Sequence, residues 1–153
     1  MTDPRRELAE ILQKWGWMMA TAESCTGGLI AGACTDLSGS SNWFERGFVT
    51  YSNAAKTEML GVDAALIAQH GAVSEPVVRA MVQGALQHAQ AQVAVAVTGV
   101  AGPSGGSAAK PVGTVWLAWG DRQLMRTRCL LWPVERTLFQ TMIAAGGLDM
   151  LRR

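Results

Sequence analysis

Apolar residues recur along this chain in two rhythms, a helical spacing of three to four and short unbroken runs, and the switches between them lay out the elements. Leu8, Ile11, Leu12 and Trp15 share one helical face after Asp3-Pro4, a capping residue followed by a proline suited to a first turn, and Gly16 ends the pattern. Residues 17–22 then read as a strand. A helix over 27–37 follows, with Leu29, Ile30, Ala33 and Leu37 at helical spacing. The polar run Ser38-Gly39-Ser40-Ser41-Asn42 is a loop, 47–51 a short strand, and 53–60 a helix stopped by Gly61. A short helical piece over 63–70 is closed by Gly71, and Ser74 caps a longer helix that carries Pro76 in its first turn and runs to about residue 89. Residues 93–98 are a buried strand. Residues 112–119 and 123–131 pair as a hairpin about Gly120-Asp121, and 134–151 form the last helix.

Helices that interleave with strands and then give way to a hairpin predict a three-layer α/β/α sandwich. Its sheet of about five strands is mixed and mostly parallel, because the tight hairpin forces antiparallel pairing. The 153 residues suit one domain over the whole chain, with no linker or repeat, and 49% hydrophobic composition suffices for one core.

Charge and cysteine content narrow the class. The formal net charge is +1, without the basic face of a nucleic-acid-binding protein. Cys25, Cys34 and Cys129 are odd in number and show no C-x-x-C spacing, so neither a disulfide framework nor a zinc site is indicated. The charged N-terminus is unlike a signal peptide, and no apolar run nears the ~20 residues of a membrane span. A reduced, cytoplasmic enzyme or binding domain is expected.

Two glycine-containing turns follow strand patterns: Thr21-Ala22-Glu23-Ser24-Cys25-Thr26-Gly27-Gly28 and Thr98-Gly99-Val100-Ala101-Gly102-Pro103-Ser104-Gly105-Gly106. The first runs into a helix, whose opening N–H groups suit an anion, so Ser24, Thr26, Gly27 and Gly28, with Gly99, Gly102 and Gly105, are candidate substrate-binding positions. The histidines, His70 and His88, both sit at helix ends, where a cation is favoured by the dipole, and neither fits a Ser/His/Asp set. Cys25 lies near a helix start but has no histidine close in sequence to activate it. Glu23 is expected to orient the pocket or cap a loop. The segment from Gly39 to Lys56 gathers Ser40, Ser41, Tyr51, the chain's sole tyrosine, and Lys56. A desolvated lysine can activate a serine, and a tyrosine can relay its proton. From the residues alone, turn serines, a sheet-edge tyrosine and a solvated lysine remain the simpler assignment.

Six collinear stretches change that balance: the first turn above, Gly39-Ser40-Ser41, Val49-Thr50-Tyr51-Ser52-Asn53-Ala54-Ala55-Lys56, Gly61-Val62, His70-Gly71-Ala72-Val73-Ser74-Glu75, and the second turn with Lys110-Pro111-Val112-Gly113-Thr114-Val115. Together they resemble the CinA C-terminal domain family, which includes the nicotinamide-nucleotide amidases, over about residues 5 to 130. The resemblance implies a stand-alone amidohydrolase that converts nicotinamide mononucleotide to nicotinate mononucleotide and ammonia. It needs neither cofactor nor metal, and a homodimer is compatible with it. It assigns Ser41 as nucleophile, activated by Tyr51 and Lys56, and makes Arg136 a candidate phosphate ligand, aligned across a small insertion. Two rivals are a nucleotide-binding regulatory module without turnover and a competence or DNA-damage accessory protein.

Overall fold

The computed structural model describes residues 3–100 and 105–144. Helix α1 (Pro4–Trp15) starts where the Asp3 side chain accepts from the Arg5 amide at 2.9 Å, and ends at Gly16 in the left-handed region, φ 70°. Strand β1 (Met19–Glu23), helix α2 (Leu29–Thr35) and strand β2 (Phe44–Val49) follow. Helices α3 (Asn53–Leu60), α4 (Ala64–His70) and α5 (Glu75–His88) lead to strand β3 (Val93–Gly99), the hairpin β4 (Thr114–Gly120) and β5 (Met125–Leu131), and helix α6 (Glu135–Ile143). The expected tail of the last helix beyond residue 144 lies outside the described residues.

The five strands lie in the order β2-β1-β3-β4-β5. The pairs β1/β2 and β1/β3 are parallel, while β3/β4 and β4/β5 are antiparallel, so only β4 runs against the others. This is the mixed α/β sandwich that the alternation of patterns implies. Strand β2 starts earlier than its apolar residues suggest, at Phe44. It is an edge strand, where Glu45 and Arg46 are tolerated because one side meets solvent.

The two faces of the sheet are built from residues of different size. Met19, Val93, Val95, Val97, Leu117 and Trp119 pack beneath α1, α2 and α6. On the opposite face Ala20, Ala22, Ala94, Ala96 and Ala118 lie under α5. Alternation along each strand sends one set up and the other down, and the alanine face lets α5 approach closely. Gly84 serves the same closeness on the helix's other side, since a Cβ there would collide with the Leu60 carbonyl.

Candidate active site

The parallel ladder between β1 and β2 does not stop at the strand ends. The Thr50 amide donates to the Glu23 carbonyl at 2.7 Å, which draws residues 50–51 alongside 23–24. Lys56, in the first turns of α3, then points back beneath this corner. Its Nζ lies 3.0 Å from Ser24 Oγ, 3.1 Å from the Thr50 carbonyl and 3.2 Å from the Tyr51 carbonyl. Ser24 Oγ is also 3.3 Å from the Tyr51 carbonyl. Lys56 is 1% exposed and Ser24 7%, so this is a sequestered pair.

A charged lysine is costly there. Burial lowers the Lys56 pKa, opposed only by attraction from the Cys25 thiolate form, and no carboxylate pairs with it among the described residues. Nζ donates to Ser24 Oγ and to the carbonyls of Thr50 and Tyr51, which occupies the three donors of an ammonium, while the Ser24 hydroxyl donates to the Tyr51 carbonyl. A neutral amine keeps the two carbonyl contacts and can turn its lone pair to the Ser24 hydroxyl. The arrangement therefore accommodates both states of a general base.

The pair opens into a cleft of about 320 Å³ lined by Cys25, Tyr51, Asn53, Ala72, Thr98 and Val100 among others. Its far wall is braced by the Thr98 hydroxyl, which donates to the Ala72 carbonyl at 3.0 Å. A second, more apolar recess of about 340 Å³ adjoins it, sharing Cys25 and Val100 and bounded by Leu29 and Trp132. Cys25 itself is held as a thiol, because burial raises its pKa.

Glu23 sets the turn that carries Ser24. Its carboxylate, 1% exposed, accepts from the Ile30 amide at 2.8 Å, the Ala31 amide at 2.9 Å and the Thr26 hydroxyl. The first amides of α2 are thus satisfied by the chain's own anion. That corrects the expected phosphate seat at Thr26, Gly27 and Gly28: the charge the helix start favours is already present. Gly27 and Gly28 instead permit left-handed backbone, at φ 58° and 104°.

The expected trio of Ser41, Tyr51 and Lys56 does not converge. Ser41 lies in the 3₁₀ turn Ser40–Asn42 before β2, and Lys56 follows its opposite end. The six extended residues of β2 separate them by about 20 Å at ~3.3 Å per residue. Tyr51 is 68% exposed on the cleft rim, and it meets Ser24 and Lys56 through its carbonyl rather than its ring. Arg136 is likewise displaced, bordering a separate recess with Asp3, Pro4 and Ala33. Gly99 lines the cleft; Gly105 is exposed, with φ 95°, and lines neither recess; Gly102 lies outside the described residues. The sequence carries a signal for Ser24, which stands at the C-terminal end of a strand beside Cys25 near a helix start.

An α/β domain with a buried serine–lysine pair at the C-terminal edge of its parallel strands belongs, by architecture, with cleft-bearing α/β proteins. Residues 2–153 match the CinA C-terminal domain model, and the chain belongs to that family. It is 56% identical to a CinA-like protein of Colwellia psychrerythraea over 99% of this chain, but spans only 36% of that relative's length. A nicotinamide-nucleotide amidohydrolase PncC of Pseudomonas putida is 57% identical over 90% of this chain and 88% of its own. Among solved structures, the competence damage-inducible protein A of Klebsiella pneumoniae superposes with a TM-score of 0.87 at 36% identity, covering 97% of this chain and 96% of that one.

Proposed function

We propose that this domain is an amidohydrolase that removes ammonia from the carboxamide of nicotinamide mononucleotide, with Ser24 as nucleophile and Lys56 as its base. The observation that carries the reading is the 3.0 Å contact between Lys56 Nζ and Ser24 Oγ in a site that lowers the lysine's pKa. The names of the PncC relatives supply the substrate class.

Neutral Lys56 takes the Ser24 proton as Oγ bonds to the carboxamide carbon. The carbonyl oxygen becomes an oxyanion. In this turn the Ser24 amide is engaged by Val97, the Gly27 amide by Ser24 and the Leu29 amide by Thr26. The amides of Cys25 and Thr26, which follow Ser24 in the turn and favour the charged form of the Cys25 side chain, suit that oxyanion. Collapse breaks the C–N bond, and the leaving nitrogen collects the proton from Lys56 and departs as ammonia. Water then attacks the acyl-serine, giving one proton to Lys56, and loss of Ser24 Oγ as leaving group yields the carboxylic acid. Lys56 returns the proton to Ser24. Tyr51, on the rim, contributes its carbonyl to the lysine and its ring to the cleft mouth.

The direct test is ammonia release from nicotinamide mononucleotide by the purified chain, alongside Ser24→Ala. Turnover by wild type and none by the variant supports the reading. Turnover retained in Ser24→Ala overturns the assignment of the nucleophile.

A further inference from the structure

The substrate proposed above carries a phosphate, and the two places where the sequence suggested it would sit are taken or remote. The start of α2 is filled by Glu23, and Arg136 faces another recess. Most other cations with described contacts are committed elsewhere: Arg5 to Asp3, Arg46 to Glu45, Arg79 to Glu75, and Arg122 to the carbonyls of Leu86 and Ala91.

Lys110 is placed differently, beside the segment that lines the cleft. Its Nζ donates to the His70 carbonyl at 2.7 Å, at the C-terminal end of α4, and lies so close to Gly71 that a Cβ there would be 3.1 Å from it. The next two residues, Ala72 and Val73, line the Ser24 cleft. No carboxylate neutralises Lys110 among the described residues, and a single carbonyl occupies one of its three donors. The backbone presenting it is held by a local turn, with the Ser107 amide donating to the Lys110 carbonyl at 2.9 Å and the Lys110 amide to the Ser107 hydroxyl at 3.0 Å. The segment rejoins the sheet through the Val100 amide on the Thr114 carbonyl at 2.8 Å and the Gly113 amide on the Val100 carbonyl at 2.7 Å. An unneutralised ammonium, steadied at the cleft's edge, is what a phosphomonoester requires.

We propose that Lys110 is the anion-binding residue of this site, which holds the phosphate of the substrate at the α4–α5 corner while Ser24 meets its carboxamide. The proposal rests on the amidohydrolase reading for the identity of the anion. The role makes the enzyme selective for phosphorylated amides over their nucleosides.

The experiment compares nicotinamide mononucleotide with nicotinamide riboside in wild type, Lys110→Met and Lys110→Arg, by kcat/KM and by calorimetric binding to the same proteins carrying Ser24→Ala. Lys110→Met is expected to lower kcat/KM and affinity for the mononucleotide about ten- to a hundredfold and to leave the riboside unchanged, with Lys110→Arg recovering much of the loss. Equal losses for both substrates would show that Lys110 only fastens the segment to α4, and would overturn the proposal. Unchanged mononucleotide binding in Lys110→Met would overturn it too. Lys110-dependent binding without any ammonia release would sustain the anion site while removing the amidase reading.

Discussion

The carboxylate of Glu23 and the amide of Ile30 meet at 2.8 Å, with the nucleophile candidate Ser24 immediately after the first and α2 running on from the second. A buried acid on a short helix start does two jobs at once: it satisfies orphan donors and fixes the turn between them. Glu23→Ala leaves the Ile30 and Ala31 amides without an acceptor. It should cost about 2–4 kcal/mol, from the usual penalty of about 1–3 kcal/mol per buried unsatisfied group together with the lost cap. Glu23→Gln retains one acceptor oxygen and should cost less. Chemical denaturation of the three proteins checks the order, and equal stability of Glu23→Ala and wild type would refute it.

Exchanging the two serines discriminates between the assembled pair and the chain-neighbour trio. Ser24→Ala should lower kcat by at least about a thousandfold, since Ser24 carries the hydroxyl that meets Lys56. Ser41→Ala, exposed at the far end of β2, should stay within about twofold of wild type. Parallel assays of ammonia release give the answer.

Lys56 predicts a pH dependence with a definite sign. Burial lowers its pKa in the folded chain, so the rate should rise with pH through a value below the ordinary ~10.4. Between the folded and unfolded values the unfolded chain binds more protons, so stability also rises with pH across that window. Below it, the buried charge is a constant penalty. Lys56→Arg should be inactive at every pH, because guanidinium stays protonated. Lys56→Met should lose that part of the stability slope. A wild-type rate independent of pH below 10 would contradict the base role.

Gly84→Ala tests the packing of α5. Alanine gains about 1 kcal/mol in helix propensity over glycine, but its Cβ meets the backbone of Leu60, and overpacking of this kind costs about 1–3 kcal/mol. The steric term should win, lowering Tm by a few degrees. A raised Tm would mean that α3 yields easily.

Much of the fold could be read locally. Helix α3 ends at Gly61 with φ 70°, where the sequence pattern stops, and its start is capped by Ser52, whose hydroxyl accepts from the Ala55 amide at 3.0 Å. The last strands and their turn followed from alternation about Gly120-Asp121. The site was half legible. Lys56 stood out because a lysine following a polar, tyrosine-bearing run is chemically suggestive. Ser41 is assigned by the family resemblance and lies fifteen residues from Lys56, whereas Ser24 lies thirty-two away. Neither the resemblance nor nearness along the chain measures contact. What joins Ser24 to Lys56 is the lateral pairing of β1 with β2, and strand order is a tertiary property that no local pattern encodes. Arg136 failed for a similar reason, since the face of α6 that it occupies depends on how that helix docks against α1.

The placement of Lys56 beyond an edge strand has a consequence for how the protein fails. Strand β2 is zipped to the sheet along one side only, by β1, and the nucleophile and its base stand on opposite sides of that seam. Opening the seam requires far less than unfolding the alanine-faced core, because edge elements exchange and fray at lower free energy than central ones. Turnover therefore acts as a sentinel for the seam: with mild denaturant it should vanish while the central strands remain protected from hydrogen exchange, so that the protein falls silent before it falls apart.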